Sequence, residues 1–316
     1  MNKKVGIIVG VIIVLLLGGY GASKLIAGNK ADESSKEKVK VTHRYGETEV
    51  PKNPERVIVL DNGTLDIMDE IGIDSVVGIA KSSLPSYLKQ YDDEKYKSVG
   101  SLKEINLETV NELKPDLIII EGRQESYYEE LSKIAPTIGL GTVKNDFMAS
   151  LENNMNVLGE IFGKGDEAKS VLADMKAKVE AVAAKIKDKN LNAMTLMVSD
   201  GAMNVFGENS RFGTIYKDFG FNLSDKNLTE DNRHGETISY EYILSQNPDY
   251  IFVVDRNAVT TGKGSAKEII ETQLVKNTEA YKSGRIIYLD SEAWYVGESG
   301  IKAMNKRIAD MENAVK

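Results

Sequence analysis

The stretch LETVNELKPDLIIIEGR, from Leu107 to Arg123, predicts a short helix that stops near a proline and a buried strand after it. The stretch YEYILSQNPDYIFVVDR, from Tyr240 to Arg256, has the same pattern at a constant offset of 133 residues (256 minus 123). The matches are few, so chance remains an alternative. The matched residues nevertheless occupy matching positions, namely a helix start, a helix stop and the carboxyl end of a strand, which favours a duplication. The offset aligns Glu108 with Glu241, Pro115 with Pro248, Asp116 with Asp249, and Arg123 with Arg256.

On both sides of these stretches, short apolar runs alternate with segments of helical periodicity. This alternation predicts mostly parallel sheets covered by helices on both faces. Two repeated halves then predict an α/β fold with two Rossmann-like lobes and a ligand cleft between them. A hairpin is predicted at the start of the first lobe, and another within AMNVFGENSRFG, residues 202–213.

A long helix is predicted between the halves, around Asp166–Lys187. The stretch from Asp166 to Lys189 is rich in Ala, Lys and Glu and lacks Gly and Pro, and its 24 residues would extend about 36 Å as a helix. Because such a helix resists bending, we expect only small movements between the lobes. The predicted boundaries are 39–147 for the N-terminal lobe, 148–188 for the connecting helices and 189–316 for the C-terminal lobe.

The N-terminus is predicted to be a targeting segment. Two lysines precede an uncharged run from Val5 to Ala22, which predicts a membrane anchor or signal segment over residues 1–27 and a polar tether over 28–38. An uncleaved anchor is favoured over a removed signal peptide, because the possible cleavage site at residues 21–23 is poor. The folded part is therefore expected at the cell surface, on the extracytoplasmic face of the cytoplasmic membrane.

Composition excludes several classes of function. The formal net charge is −8 and no long basic run offsets it, which argues against nucleic acid as a partner. The sequence contains no cysteine and two histidines, so disulfides, lipid attachment through cysteine, thiolate metal sites and histidine-rich zinc sites are not expected. We therefore expect no intrinsic cofactor.

The arginines at the ends of the two matched strands are the first candidate site residues. Ligands of open α/β sheets bind outside the carboxyl ends of the strands. Arg123 and Arg256 are thus expected to face each other across the cleft.

The segments NLETVNELKPDLIII and YEYILSQNPDYIFVV, with the long helix between them, resemble the class III substrate-binding proteins of ABC importers. RHGETISYEY and AWYVGESG are most similar to the catecholate and petrobactin-type siderophore receptors of that class. The resemblance implies that the chain binds a ferric siderophore and delivers it to an importer permease. The implied ligand-binding residues are Arg123, Arg211, Arg256, His234 and Tyr295, of which His234 and Tyr295 would bind the iron(III) of the siderophore. The implied permease contacts are Glu108 and Glu241.

The chemistry of these side chains agrees with that expectation. Iron(III) favours phenolate and catecholate oxygen and accepts imidazole, and arginine suits anionic oxygens in a partly dry cleft. Simpler interpretations stay open: His234 as a solvated loop residue, Arg211 as part of a turn, Tyr295 as packing beside Trp294, and the two glutamates as helix N-terminal charges. His43 is assigned no role.

Two other functions remain as alternatives. A haem receptor of the same importer class would use Tyr295 and His234 as axial ligands. An enzyme would need His234 as a general base with Ser199 or Ser239 as nucleophile. No GxSxG motif or carboxylate pair supports the enzyme, so the chain is not expected to be one.

Overall fold

The structure is a computed structural model that describes residues 37–228, 234–297 and 299–316. The predicted anchor, nearly all of the predicted tether and Arg233 lie outside these residues. Within the described ranges, no helix has both the length and the apolar character required to cross a membrane.

The N-terminal half starts with a hairpin and continues into a five-stranded sheet. The hairpin pairs β1 (Lys38–His43) with β2 (Gly46–Pro51). All pairs of the sheet are parallel and their order is β5-β4-β3-β6-β7. Its strands and helices are β3 (Val57–Val59), α1 (Asn62–Glu70), β4 (Val76–Ile79), β5 (Lys97–Ser98), α2 (Leu107–Glu112), β6 (Leu117–Ile120), α3 (Tyr128–Ser132) and β7 (Thr137–Gly139).

Two consecutive helices, α4 (Phe147–Ile161) and α5 (Gly165–Lys187), follow the first sheet. The Asp146 side chain caps α4 by accepting a hydrogen bond from the Ala149 N–H. The chain turns between the helices at Gly163, whose φ of 64° lies in the left-handed region. Helix α5 buries one stripe at helical spacing, which packs it onto the protein: Leu172, Met175, Val179, Val182 and Ile186.

The C-terminal half contains the second sheet, with the order β11-β9-β8-β12-β13 and β10 paired to the start of β8. Strands β8, β12 and β13 are parallel, whereas β9 and β11 pair antiparallel. The elements are β8 (Asn192–Ser199), β9 (Ala202–Phe206), α6 (Thr214–Lys217), β10 (Asn222–Leu223), β11 (Glu236–Thr237), α7 (Tyr240–Gln246), β12 (Tyr250–Asp255), α8 (Arg256–Thr260), α9 (Ala266–Ile270), α10 (Glu279–Lys282), β13 (Ile286–Tyr288) and α11 (Ile301–Ala314).

The hairpin predicted within residues 202–213 is wrong. The hairpin joins β8 to β9 through Asp200 and Gly201, which have φ values of 53° and 82°. Residues 207–213 instead form a turn that leads into α6. The Asp-Gly pair directly after β8 is the sequence signal for this turn, because such pairs favour tight hairpin turns.

The two copies of the repeated segment have matching structural roles. Asn106 and Ser239, which are 133 residues apart, cap α2 and α7 with their side chains. Asp116 accepts hydrogen bonds from the Glu55 and Arg56 N–H groups just before β3, and Asp249 accepts one from the Asn192 N–H at the start of β8. Each aspartate thus ties its own strand to the beginning of the neighbouring strand.

Candidate ligand-binding cleft

All five residues predicted to bind ligand line one cavity of about 690 Å³. The cavity is built from both halves of the chain, at the carboxyl ends of strands from the two sheets. The full lining is Lys103, Gly122, Arg123, Met197, Ser199, Ala202, Asn204, Arg211, His234, Thr237, Arg256 and Tyr295.

Arg123 reaches the cavity from the N-terminal half. Its predicted place at the end of a strand needs correction, because β6 ends at Ile120 and Arg123 lies in the 3₁₀ segment Gly122–Tyr127. Its Nη1 donates to Glu121 Oε1 at 2.8 Å, and Glu121 is buried. The buried carboxylate therefore holds the guanidinium at the rim of the sheet.

Arg256 follows β12 directly, and three oxygens hold its side chain. Its Nε donates to the Tyr295 hydroxyl at 2.8 Å, and its Nη1 donates to Ser199 Oγ at 2.7 Å and to Asp200 Oδ2 at 3.2 Å. The hydrogen bond to Tyr295 raises the pKa of Arg256, so this cation is permanent at physiological pH.

Tyr295 lies between two of the predicted arginines. Arg211 Nη2 donates to the Tyr295 carbonyl oxygen at 2.7 Å, and Arg211 Cζ stands 4.5 Å from the centre of the Tyr295 ring. Arg256 Cζ is 5.8 Å from the same centre. Both distances are within the range of cation–π contacts, so the ring and the two guanidinium groups form one packed unit.

Tyr295 is carried by a π-helical turn, Glu292–Val296. Such turns are rare and occur frequently at functional sites. The preceding residue, Trp294, is buried, and its Nε1 donates to Asp310 Oδ2 at 2.8 Å. The buried tryptophan and its hydrogen bond hold the turn in place, while Tyr295 remains partly exposed at the cavity.

His234 lies just before β11, and its side chain is exposed at the cavity. Its backbone oxygen accepts a hydrogen bond from Asn204 Nδ2 at 2.9 Å, which ties this loop to β9. The structure thus brings His234 to the same cavity as Tyr295, although the two are 61 residues apart (295 minus 234) in the sequence.

Lys103 is a cleft residue that the sequence analysis missed. It lies in the loop before α2, is exposed and lines the cavity opposite the second sheet. No spacing or motif in the sequence distinguishes it from other surface lysines.

The two serines considered as nucleophiles have structural roles instead. Ser199 Oγ accepts from Arg256 Nη1, and Ser239 Oγ accepts from the Tyr242 N–H as the cap of α7. Ser199 thus positions a cleft arginine, whereas Ser239 starts a helix.

Glu108 and Glu241 do not line the cavity and lie in the first turns of α2 and α7. Both side chains are exposed. Within residues 37–228, 234–297 and 299–316, no group of three or more histidine, aspartate or glutamate side chains is placed to hold a metal ion.

Solved structures with similar folds include the petrobactin-binding protein YclQ of Bacillus subtilis, with a TM-score of 0.86 and 41% identity over 89% of this chain and 99% of that one. The periplasmic catecholate-siderophore binding protein VctP of Vibrio cholerae gives a TM-score of 0.81 and 38% identity over 88% and 100% of the two chains. These similarities confirm the predicted two-lobed α/β fold.

Sequence comparison gives the same result. The petrobactin-binding protein YclQ of Bacillus subtilis (strain 168) is 38% identical over 100% of this chain and 99% of its own length. The profile of the periplasmic binding protein family matches residues 57–293. The resemblance seen in the sequence is therefore confirmed, and the chain belongs to the periplasmic binding protein family.

Proposed function

We propose that this protein captures a ferric catecholate-type siderophore in the cleft and delivers it to the permease of an ABC importer. The main support for this function is the positive charge of the cavity lining. Four of its lining residues are cations, Lys103, Arg123, Arg211 and Arg256, and no aspartate or glutamate is among the described residues that line it. A ferric catecholate complex is anionic, and converging guanidinium groups recognise such oxygens through charge-assisted hydrogen bonds.

The relatives support the same class of ligand. YclQ is named for petrobactin, VctP for catecholate siderophores, and a further relative, FatB of Vibrio anguillarum, for ferric anguibactin. These proteins are named as binding proteins, which agrees with the expectation that this chain is not an enzyme.

The iron shell is proposed to include two protein ligands. A siderophore with two catecholates supplies four of the six positions that iron(III) takes. The Tyr295 hydroxyl and the His234 imidazole, both at the same cavity, would fill the remaining two. On iron binding, the Tyr295 oxygen would either give up its hydrogen bond from Arg256 Nε or keep that bond while it also binds the metal.

None of these three relatives is named for haem. The side chains that line the cavity also argue against haem as the ligand. A haem presents large apolar faces, and its sites are lined mainly by apolar side chains. The cavity offers Met197 and Ala202 as apolar side chains among predominantly charged and polar ones.

The N-terminal segment is proposed to hold the protein at the extracytoplasmic face of the membrane. Two relatives, YhfQ and YfiY of Bacillus subtilis, are named lipoproteins. This sequence has no cysteine to carry a lipid, so the apolar run Val5–Ala22 would provide the attachment. Extraction of membranes at alkaline pH should leave an anchored chain in the pellet, whereas recovery in the medium would indicate cleavage.

The permease is proposed to contact Glu108 and Glu241. Each glutamate is exposed at the beginning of a helix, one in each half of the chain. Charged pairs at such a surface set docking orientation and encounter rate.

The proposed function is tested by titrating the full-length chain with ferric siderophores and following the fluorescence of its single tryptophan, Trp294. The alanine variants of Arg123, Arg211 and Arg256 should each bind ferric catecholates about 10- to 100-fold more weakly, because each loses a charge-assisted contact. Arg285→Ala is the matched control, since Arg285 stacks on Tyr250 outside the cavity. Wild-type affinity in all three variants would contradict the proposed cleft.

A further inference from the structure

A second cavity of about 390 Å³ adjoins the cleft and shares Gly122, Arg123 and Arg211 with it. We call it the side cavity. Beyond the shared residues, its charged lining consists of Arg44, Lys144, Arg307, Glu121 and Glu125. The family resemblance in the sequence pointed to none of the three additional cations.

Arg44 is brought to the side cavity by the N-terminal hairpin. His43 Nδ1 accepts a hydrogen bond from the Gly139 N–H at 3.1 Å, and the Tyr45 hydroxyl donates to the Glu121 carbonyl at 3.1 Å. These contacts dock the hairpin turn on the first sheet, which is a role for His43 that the sequence did not suggest. Arg44 Nη2 donates to the Thr142 carbonyl at 2.7 Å. A Cβ atom at Gly122 would collide with Arg44 Nη1, so the glycine makes room for the guanidinium.

Lys144 lies in a loop whose backbone is strained. Lys144 and Asn145 have φ values of 52° and 54°, in the left-handed region. Asparagine tolerates this region but lysine is uncommon there, and such strain is concentrated at functional sites. Asn145 Nδ2 donates to the Asn209 carbonyl at 2.9 Å, which ties the loop to the turn after β9.

Arg307 is a rigidly held cation in the lining of the side cavity. It lies on α11, is 2% exposed, and donates from Nε and Nη2 to the Ala293 carbonyl at 3.1 and 2.8 Å. Its Cζ stands 4.0 Å from the centre of the Phe147 ring. A cation held in this way needs little reorganisation to receive an anion.

The side cavity thus carries an excess of positive charge. Five cations line it, against two carboxylates, and Glu121 already pairs with Arg123. Guanidinium groups match planar oxyanions, and the nearby cleft leaves room for the rest of a larger ligand. We propose that the side cavity binds a carboxylate arm of the siderophore that is not coordinated to iron, with Arg44 and Lys144 as specificity-determining residues. This inference rests on the proposed function.

Two synthetic ferric tris-catecholates test it on the full-length chain, one with a carboxylate on the spacer and one with a primary amide at that position. Six catecholate oxygens saturate the iron in both, so the carboxylate remains off the metal. The wild type should bind the carboxylate complex about tenfold more tightly, as expected for one charge-assisted contact. Arg44→Gln and Lys144→Gln should each remove most of this preference without changing the affinity for the amide complex.

Lys97→Gln, an exposed change at the edge of the first sheet, should keep the preference, and melting temperatures check that each variant folds. Equal wild-type affinity for the two complexes, or an intact preference in both variants, would overturn the carboxylate assignment while leaving the proposed function in place. Binding of iron-free phosphate that disappears in Lys144→Gln, together with equal wild-type affinity for the two complexes, would also overturn it by showing a site for free inorganic anions. If the wild type bound neither complex, the proposed function itself would fail.

Discussion

Tyr295 contacts two of the arginines that line the cleft. Its ring lies against the guanidinium of Arg211, and its hydroxyl accepts a hydrogen bond from Arg256. The π-helical turn that contains Tyr295 is anchored by the hydrogen bond from Trp294 to Asp310. The phenol oxygen is therefore held in a defined place at the cavity, which is the condition for acting as a metal ligand without a large entropic cost.

Replacing Tyr295 by phenylalanine and His234 by alanine should weaken binding of ferric bis-catecholates by about tenfold or more, an energy of roughly 1.4 kcal/mol. Binding of ferric tris-catecholates should change much less, because those ligands already saturate the metal. Fluorescence titration of both ligand classes measures the difference. Tyr288→Phe, at a residue outside the cavity, serves as the control. Equal losses for the two classes would show that these side chains do not contact iron.

Among the helices, α11 packs its first turn against α1, which lies far from it in the sequence. Asp66 Oδ2 accepts a hydrogen bond from the Ala303 N–H at 3.1 Å, and Asp69 forms a salt bridge with Lys302. A Cβ atom at Gly300 would collide with Asp66, so the glycine permits the approach. A carboxylate near a helix N-terminus is favourable, but this one is fully buried.

Burial raises the pKa of Asp66 to about 7, from an ordinary value of 3.8. The folded chain therefore holds this proton more tightly than the unfolded chain does. The free energy of unfolding should accordingly fall as pH rises from about 4 to about 7, by up to a few kcal/mol, and level off above that range.

Asp66→Asn keeps an oxygen for the Ala303 N–H but cannot ionise. Its unfolding free energy, measured in urea between pH 5 and pH 8, should fall less with pH than that of the wild type. The difference between the two curves isolates Asp66 from other titrating groups. Parallel curves would mean that Asp66 is not protonated in the folded protein near neutral pH.

Over the whole molecule, the residues proposed for ligand capture and those proposed for delivery are separate sets. The cations of the cleft and Tyr295 line the cavity, whereas Glu108 and Glu241 do not line it and are exposed on α2 and α7. Helix α5 lies between the two halves in the chain and packs along one buried stripe, which supports the proposal of limited lobe movement.

Reversing both glutamates to lysine should abolish siderophore uptake in cells that depend on this receptor, while siderophore affinity and melting temperature stay nearly unchanged. The reason is that their charges would contact the permease rather than the ligand. Glu160→Lys with Glu180→Lys makes the same charge change at two other exposed positions and should preserve uptake. Normal transport by the first double variant would contradict the docking role, and loss of binding would place these residues at the ligand site.

Local sequence patterns were enough to predict most of the helices and strands, the repeat and the candidate arginines at the ends of its two copies. Apolar periodicity and the prolines before β6 and β12 act over a few residues, so they can be recognised without a structure. The family resemblance added Arg211, His234 and Tyr295, which line the cavity and stay predicted ligand-binding residues. The hairpin near residue 202 differs from the prediction because the Asp200-Gly201 pair forms the turn, one strand earlier in the chain.

The further cations that meet at the two cavities are brought together by long-range contacts. Arg44, Lys103, Lys144 and Arg307 come from a hairpin, two loops and the last helix, and none belongs to a motif. Their proximity follows from the way parallel strands place their carboxyl ends together and from long-range docking, such as that of His43 on β7. The same holds for the Asp66 contact with α11, which joins residues 237 positions apart. Contacts of this kind depend on the path of the whole chain, and local sequence patterns contain no signal for them.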